Sequence, residues 1–383
     1  MIIIVYSRTI GGHHLEYMHH IYEMARHDQD NQYVFVLPKR FEQLKDKWEW
    51  SHANNIKFDL FEDIKSKQSA SFTTMLKDSW MVSRLLQHFA KKHDADIIYS
   101  NSLIVTIPFA PLLIPTKCRL FGVIYKIYLY ELSGKSLLSR AIDRFKYLIL
   151  SKSGTYKSVF ILNDEDSAKK LNFIYHTDKF LPLPDPLVTI SHDHIPDFRE
   201  KNNIERDRIL FAHFGAMTDV KSTLEILHSI ISLSQEIAKD YCFVFAGVVQ
   251  EEIREQFYSL LERAKLNAQI IVHDRYCSYE EFESLCIACN AILTPYKRTS
   301  QSSGLIGYAS QFHKPVVAVK KGLLGILVSK FNLGLLIDKV DDESLIEAYS
   351  KIAAGEVKVP TSDYCEWNSV SNFQKAIISV IKS

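Results

Sequence analysis

The sequence predicts an α/β protein made of two doubly wound units, each built on a parallel sheet. Short apolar runs typical of buried strands alternate with helical patterns through both halves of the chain. A proline-rich and polar stretch separates the two halves, and 383 residues are too many for one hydrophobic core. We therefore expect a first domain at residues 1–185, a linker at 186–207, a second domain at 208–368 and a final helix at 369–383.

Apolar runs predict the strands of both halves. In the first half they are 2–6, 33–37, 96–100, 119–124 and 158–162, and in the second half 209–214, 242–246, 268–272, 291–294 and 315–319. The stretch 179–186 contains three prolines, each of which restricts itself and the preceding residue to extended conformations. We expect this stretch to lead out of the first domain as part of a linker.

The charge balance and the cysteine usage are those of an ordinary cytosolic protein. Lys and Arg total 46 against 45 Asp and Glu, which gives no sign of nucleic-acid binding. Six scattered cysteines indicate reduced thiols, and Cys286 and Cys289 lack the second pair that a zinc site needs, so we expect them to pack within a helix. The amino terminus lacks a secretory signal, and no apolar run reaches the ~18 residues of a membrane span. We expect a cytoplasmic protein, and peripheral attachment to a membrane stays open.

A glycine turn follows the first predicted strand. Gly11, Gly12, His13 and His14 stand between that strand and a helix rich in histidine and aromatic residues. Two glycines allow a ligand to approach the backbone closely at the carboxyl end of the strand. The dinucleotide-binding pattern Gly-x-Gly-x-x-Gly is absent. A tight turn that binds nothing is the alternative.

The second half opens in a comparable way. Gly215 follows the strand expected at 209–214, and Lys221 falls near the start of a helix expected at 223–233. A cation at that position opposes the helix dipole, so its placement against local preference indicates a use such as holding a pyrophosphate. A solvated lysine is the alternative.

The segment 294–318 has the order of an anion site. A buried strand is followed by Lys297 and Arg298, by a helix start at Ser302, Ser303, Gly304 and Leu305, and by a second buried strand. Backbone N–H groups at such a helix start can bind phosphate, and the two cations would neutralise the charge that the amides do not. A plain helix N-cap is the alternative.

Taken together, these motifs resemble those of a GT-B glycosyltransferase, most closely the large retaining group called glycosyltransferase family 4. The resemblance lies in the paired glycines, the proline-rich crossover, Gly-x-x-x-x-x-Lys, Ala246-Gly247, and then Pro-Tyr, Ser-Gly and Lys-Pro-Val-Val in this order. It covers nearly the whole chain and is stronger in the second half. It implies two Rossmann-like domains facing a central cleft, with a nucleotide-sugar donor in the second domain and the acceptor mainly in the first. It also implies that the last helix, at 369–383, crosses back onto the first domain. It also implies that no metal or cofactor is needed.

The resemblance implies roles for individual cations. Lys221 matches the family lysine that binds the donor diphosphate, six positions after Gly215, and Ala216 stands where many members have an arginine. Lys297 or Arg298 would take the place of that arginine. We expect Lys221 and Arg298 to be catalytic because they would stabilise the charge of the departing diphosphate.

The other donor and acceptor contacts follow from the same resemblance. The expected donor-binding residues are Gly12, His13, Gly215, Lys221, Arg275, Tyr276, Lys297, Ser302, Ser303, Gly304 and Leu305, with Arg275 or Tyr276 against the base. The expected acceptor-side residues are His14, Asn101 and Tyr125. The paired glutamates of the family align with Ser300 and Tyr308, neither of which is acidic, so the contacts to the sugar and ribose hydroxyls stay unassigned.

A basic and apolar segment at 135–152 has the spacing of an amphipathic helix. Such a helix can lie on an anionic membrane, which would suit a lipid-linked acceptor. A surface helix packed on its own domain is the alternative. The resulting expectation is a retaining transferase that extends a bacterial-type surface glycan from a nucleotide-sugar. A GT-B epimerase that acts on nucleotide-linked sugars and a non-catalytic nucleotide-sugar or glycan binding protein are the alternatives.

Overall fold

Two parallel sheets organise the chain in the computed structural model, which describes residues 1–11, 13–45, 49–64, 72–125, 127–130, 136–189, 191 and 194–383. The chain divides into two units, Met1–Pro186 together with Asn368–Ser383, and Leu187–Trp367. Each unit has its own sheet and its own apolar interior.

The sheet of the first unit has seven parallel strands: β1 (Ile2–Tyr6), β2 (Gln32–Pro38), β3 (Ile56–Phe61), β4 (Ile97–Ser100), β5 (Arg119–Ile124), β6 (Tyr156–Leu162) and β7 (Phe180–Leu183). Their order across the sheet is β3-β2-β1-β4-β5-β6-β7. The strand order therefore reverses between β1 and β4. In doubly wound sheets, ligands bind in the crevice that opens at the carboxyl ends of the strands at such a reversal.

The helices of the first unit before its last segment are α1 (His13–His27), α2 (Phe41–Leu44), α3 (Phe72–Lys92), α4 (Ala110–Leu113), α5 (Leu137–Lys152) and α6 (Glu165–Tyr175). They cover both faces of the sheet, because successive side chains of a strand point to opposite sides. Along β1, Ile3 and Val5 pack with α1, whereas Ile4 and Tyr6 pack with α3. Because β1 is buried on both faces, its sequence is a continuous run of apolar residues.

The sheet of the second unit has six parallel strands: β8 (Ile209–Phe214), β9 (Tyr241–Ala246), β10 (Gln269–His273), β11 (Ala291–Thr294), β12 (Val316–Val319) and β13 (Gly334–Ile337). Their order is β10-β9-β8-β11-β12-β13, so the reversal lies between β8 and β11. The helices are α7 (Phe198–Lys201), α8 (Thr223–Ile231), α9 (Gln235–Ala238), α10 (Glu251–Ala264), α11 (Tyr279–Ala288), α12 (Leu305–Gln311), α13 (Gly322–Lys330), α14 (Asp342–Ala353) and α15 (Asp363–Trp367).

Three strands were not predicted from the sequence, and each lies at a sheet edge. These are β3, β7 and β13. All three are partly exposed: polar residues interrupt the apolar run of β3, a proline lies within β7, and β13 has only three apolar side chains after its glycine. The proline-rich stretch expected to be only a linker forms β7, which contains Pro182. An edge strand tolerates proline because one of its sides has no neighbouring strand that needs the missing N–H.

Two further segments, one between the sheets in sequence and one at the end of the chain, complete the two units. The linker expected at residues 186–207 is grouped with the second unit except for Pro186, which ends the first segment of the first unit. Arg199 is buried there and donates hydrogen bonds to the carbonyl oxygens of Ala288 and Arg208 at 3.0 Å. The last helix, α16 (Val370–Lys382), is grouped with the first unit, where Phe373 is buried against α1.

The cysteines behave as packing residues. All six carry free thiols. Cys286 in α11 and Cys289 just after it are buried, and burial raises the pKa of both thiols. In the described part of the chain, no helix is long and apolar enough to cross a membrane.

Candidate functional site

The predicted site residues collect where the strand order of each sheet reverses. In the second unit Lys221 follows β8 and Lys297 follows β11. In the first unit His14 follows β1 and Asn101 follows β4. Neighbouring parallel strands end at the same edge of a sheet, so residues far apart in sequence meet there. The topology therefore builds one candidate site in each unit.

Lys221 stands on a short 3-10 turn ahead of α8 and not in the first turn of that helix. The turn spans Asp219–Lys221, and the Thr218 side chain accepts a hydrogen bond from the Lys221 N–H at 3.3 Å. Ser222 follows with a φ of 58°, a left-handed conformation that turns the chain into α8. The side chain of Lys221 is thereby directed back over the carboxyl end of β8.

The Lys221 ammonium group lies against Gly215 and Tyr296. A Cβ atom at position 215, where φ is 88°, would lie 3.1 Å from Nζ, so glycine makes room for the amine. The Nζ atom lies 5.6 Å from the centroid of the Tyr296 ring, within the range of a cation–π contact. Burial lowers the pKa of the Lys221 amine, and no carboxylate pairs with it within the described ranges. A desolvated cation without a counter-charge favours an anionic ligand.

Two glycines, Gly215 and Gly247, place backbone without side chains next to the Lys221 amine. The Gly247 N–H donates a hydrogen bond to the His273 carbonyl oxygen at 2.9 Å, and the Gly215 N–H donates to that of Ala246 at 2.8 Å. A Cβ atom at position 247 would lie 2.1 Å from the Gly215 carbonyl oxygen. The ends of β8 and β9 therefore pack without side chains, which leaves the backbone open to close approach by a ligand.

Lys297 anchors the turn that carries Lys221. Its Nζ lies 2.5 Å from Asp219 Oδ1 and 2.6 Å from Glu225 Oε1, and its backbone N–H donates to the Val220 carbonyl oxygen at 2.9 Å. Burial favours the neutral amine, but the hydrogen bonds to the two carboxylates outweigh it and raise the pKa of Lys297. Because its charge is already compensated, Lys297 positions the loop and is a poor stand-in for a second phosphate-binding cation.

Arg298 and the small residues near α12 lie on the same connection after β11. Arg298 is exposed, and the described chain gives it no hydrogen-bond or ion-pair partner. Gly304 is the N-cap residue of α12 and offers no side-chain cap bond. The Ser303 Oγ, one residue earlier, accepts a hydrogen bond from the Leu305 N–H at 3.3 Å. Ser302, Ser303 and Gly304 are partly exposed, so this connection stays a candidate for the phosphate contact that the sequence predicts.

The start of α8 offers stronger anion-binding features. This helix has nine residues, and its N-cap residue Ser222 makes no side-chain cap bond. Ser222 is fully buried, and its Oγ has no hydrogen-bond partner in the described structure. Uncapped N–H groups and an orphaned hydroxyl next to Lys221 are groups that a phosphate would satisfy.

The loop after β10 presents an exposed aromatic ring. Tyr276 is 83% exposed, so its ring is not a packing residue of the second unit and can stack on a base. Arg275 instead forms a bidentate ion pair with Glu281, the capping-box residue of α11. The hydrogen bonds from Arg275 lower the pKa of Glu281 to about 2. Because Arg275 is paired with Glu281 at the start of α11, Tyr276 is the better candidate to stack on the nucleotide base.

The positions that align with the family's paired glutamates are packing positions in this chain. Ser300 is buried. The Tyr308 ring packs against those of Phe214 and Phe282, with centroids 5.9 and 6.2 Å away. A carboxylate among these rings would lose its hydration without compensation. The local packing therefore explains why position 308 is aromatic.

In the first unit, the three expected acceptor-side residues form one hydrogen-bonded network. The Tyr125 hydroxyl donates to Asn101 Oδ1 at 2.7 Å, and Asn101 Nδ2 lies 3.0 Å from His14 Nδ1. The His14 and Tyr125 rings meet edge to face at 5.2 Å. Asn101 is buried, whereas His14 is partly exposed. The buried amide thus holds the partly exposed imidazole at the carboxyl ends of β1 and β4.

This network determines which nitrogen of His14 carries the proton. Asn101 Oδ1 accepts hydrogen bonds from the hydroxyls of both Tyr125 and Tyr99, so the amide nitrogen faces His14 and donates to Nδ1. Burial, followed by the charge of His13, lowers the pKa of His14. A neutral ring whose Nδ1 accepts must carry its proton on Nε2. His14 therefore presents a hydrogen-bond donor to a ligand and is unsuited to act as a general base.

The remaining predicted residues of the first unit do not join this network. Gly12 lies outside the described residues. His13 is largely exposed, and its Nδ1 lies 3.2 Å from Glu16 Oε2. Burial favours the protonated carboxyl of Glu16, but hydrogen bonds from His13 and His20 outweigh it and hold the pKa at about 2. His13 thus pairs within α1.

Sequence reasoning missed two carboxylates of the second-unit site. Asp219 lies two residues before Lys221 and Glu225 lies four residues after it, so the sequence alone suggests that they pair with Lys221. The structure shows that both carboxylates pair with Lys297 instead. Among the residues that the structure covers, no group of three or more His, Cys, Asp or Glu side chains is arranged to hold a metal ion.

Solved structures match the chain along its whole length, although no protein-family model matches it and no curated protein sequence is significantly similar to it. WaaG, a glycosyltransferase involved in lipopolysaccharide biosynthesis, has a TM-score of 0.66 at 16% identity, over 100% of both chains. HepE from Anabaena in complex with UDP has a TM-score of 0.66 at 14% identity, over 100% of this chain and 99% of HepE. Sucrose-phosphate synthase from Thermosynechococcus elongatus has a TM-score of 0.66 at 12% identity, over 99% and 94% of the two chains. The GT-B fold expected from the sequence is confirmed.

Proposed function

We propose that this protein is a glycosyltransferase that moves a sugar from a nucleoside-diphosphate sugar to an acceptor hydroxyl. The observation that carries the proposal is the desolvated Lys221 amine, which lies at the strand reversal of the second unit without a carboxylate partner in the described chain. The GT-B fold supports it, since structures with this fold include glycosyltransferases.

The donor diphosphate would bind between Lys221 and the start of α8. Lys221 Nζ supplies the positive charge, and the uncapped N–H groups of α8 with the orphaned Ser222 hydroxyl supply hydrogen bonds. Lys297 offsets one of the two negative charges of Asp219 and Glu225, which weakens their repulsion of the phosphates. Tyr276 would stack on the base. Uridine is the first base to test because HepE was solved with UDP-glucose.

We propose that transfer proceeds with retention by front-face substitution. The bond between the anomeric carbon and the diphosphate oxygen breaks, the acceptor oxygen bonds to the same face, and the acceptor proton passes to the departing phosphate. No enzyme carboxylate is needed for this route, which suits a chain with Ser300 and Tyr308 at the glutamate positions. The catalytic contribution is then charge stabilisation, and removing one such contact typically costs on the order of a hundredfold in rate.

The acceptor would bind in the first unit, at the crevice where His14 is held. A neutral His14 with its proton on Nε2 would donate a hydrogen bond to a sugar hydroxyl or ring oxygen. The acceptor that we propose is a glycan or a lipid-linked sugar of a surface polysaccharide, reached from the cytoplasmic side.

Donor turnover tests the proposal and separates it from its alternatives. The purified protein is screened by thermal shift against UDP, GDP, CDP and ADP and their sugars, because a ligand of the folded state raises Tm. Any donor that binds is then incubated with and without an oligosaccharide or lipid-linked acceptor, and the nucleotide and sugar products are identified by mass spectrometry and NMR. We expect release of the nucleoside diphosphate only with acceptor, and an α-linked product from an α-linked donor.

Other results would assign the protein differently. Conversion of the donor sugar without acceptor would show an epimerase, and binding without any turnover would show a nucleotide-sugar binding protein. An inverted linkage would overturn the retaining mechanism alone. No stabilisation by any nucleotide would overturn the donor site itself.

A further inference from the structure

Two neighbouring helices of the first unit expose large apolar side chains to solvent. On α5 they are Leu137 at 82% exposure, Leu138 at 72%, Phe145 at 56% and Leu148 at 45%, and on α6 they are Phe173 at 81% and Ile174 at 47%. Apolar residues so exposed and so close together are unusual on a soluble protein and mark an interaction surface. We call this set the α5–α6 surface.

The α5–α6 surface is the outer face of helices that are already anchored. Tyr147 and Leu150, on the opposite side of α5, are buried in the core of the first unit. Between the helices lies an open groove of about 830 Å³, whose lining includes Phe145, Leu148 and Ile174. Packing on its own domain therefore accounts for one face of α5 and leaves the other without an explanation.

Basic side chains accompany these apolar ones. α5 carries four basic residues, at positions 140, 144, 146 and 152, and one acidic residue, Asp143. Arg144 and Lys152 are exposed, and Arg144 also lines the groove. A helix with an apolar outer face and an excess of Lys and Arg matches an anionic lipid surface in both polarity and charge.

We propose that the α5–α6 surface docks onto the surface of an anionic bilayer. Phe145, Leu148 and Phe173 would enter the boundary between headgroups and acyl chains, and Arg144 and Lys152 would contact lipid phosphates. The proposal adds α6 to the segment 135–152 that the sequence singles out. It is independent of donor chemistry, because none of these residues belongs to the second unit.

Flotation with lipid vesicles tests the proposal on the full chain. The wild type is mixed with vesicles of phosphatidylcholine alone or with 30% phosphatidylglycerol (about one anionic lipid in three), at low and high salt. We expect binding to the anionic vesicles that high salt weakens. Removing the apolar contacts with Phe145→Ser and Phe173→Ser should lower the partition coefficient roughly a hundredfold or more, at about tenfold for each ring. Arg144→Gln with Lys152→Gln should lower it about 25-fold, at about fivefold for each charge.

A matched control and a second measurement keep the test decisive. Leu112→Ser removes a 78% exposed leucine from α4 of the same unit, and it should bind vesicles as the wild type does. Lys221→Ala should also bind as the wild type, which separates this proposal from the proposed transferase. Failure of the wild type to bind anionic vesicles, or equal losses in Leu112→Ser, would overturn the proposal. Sedimentation showing a dimer that Phe145→Ser dissociates would assign the surface to a second copy of the chain instead.

Discussion

Replacing Lys221 with methionine removes the charge that the proposed donor site depends on while keeping an unbranched side chain over Tyr296. A hydrogen bond between charged groups contributes about 1.5–3 kcal/mol net. Losing it should weaken binding of UDP, or of whichever nucleoside diphosphate the screen identifies, by roughly 10- to 150-fold. The measurement is isothermal titration calorimetry at fixed ionic strength.

The pH dependence gives this prediction a second readout. Burial lowers the pKa of Lys221 in the unliganded protein. Only the protonated amine attracts a diphosphate, so wild-type affinity should fall as the pH rises through that lowered pKa. Lys221→Met should lack this fall. An affinity that is unchanged by the substitution, or the same alkaline fall in both proteins, would refute the role of Lys221.

Lys297→Met is the matched comparison, because it removes a neighbouring lysine with a different role. Its loss should weaken binding indirectly, by leaving the carboxylates of Asp219 and Glu225 uncompensated near the phosphates. In a background of Asp219→Asn with Glu225→Gln, Lys297→Met should therefore have little effect, whereas Lys221→Met should keep its full effect. If Lys297→Met costs as much in both backgrounds, Lys297 contacts the nucleotide directly.

Three further outcomes follow from the structure. Burial lowers the pKa of His213 from 6.5 to about 4. Between these pH values the unfolded state binds a proton that the folded state does not. About 3 kcal/mol of the free energy of unfolding should therefore be lost as the pH falls from 6.5 to 4. Urea unfolding of the wild type and His213→Gln at each pH measures this loss, which the variant should lack. Gly247→Ala places a Cβ 2.1 Å from the Gly215 carbonyl oxygen, and it should lower Tm by several degrees and weaken UDP binding. Asn101→Asp should raise the pKa of His14 and move its proton to Nδ1, as read by nitrogen-15 NMR, because a carboxylate stabilises the imidazolium.

The controls for these outcomes lie in the same chain. His228→Gln changes a histidine that is exposed on α8, and it should leave the pH dependence of stability as in the wild type. Gly154→Ala adds a methyl group with no atom within 4 Å, and it should leave Tm unchanged within about one degree. An equal change in either control would contradict the corresponding argument. An unaltered His14 spectrum in Asn101→Asp would contradict the assigned tautomer.

The central strands of both sheets were readable from the sequence because they are buried on both faces. β1, β5, β8 and β11 have the predicted bounds, and the other central strands differ by one or two residues at their ends. The edge strands β3, β7 and β13 were not predicted, because polar residues interrupt β3, prolines in β7 indicated a linker, and β13 is only four residues long. The fourth edge strand, β10, was predicted to within one residue at each end.

The candidate site divides in the same way. Lys221 could be singled out from its spacing to Gly215, because a strand, a glycine turn and a helix start are written within a few residues of each other. The pairing of Lys297 with Asp219 could not, because those residues are 78 positions apart and meet only when β11 lies next to β8.

What the sequence alone determined is local: two α/β units, their central strands, and a lysine at the end of β8. The alternation of strand and helix patterns and the residue preferences of turns each act over a few residues, so both can be recognised without knowledge of the fold. Only the tertiary structure decided that Lys297 is neutralised, that Asn101 fixes the proton of His14, and that α6 extends the apolar face of α5. Each of these depends on which strands and helices become neighbours, and charge compensation and burial are set by neighbours in space.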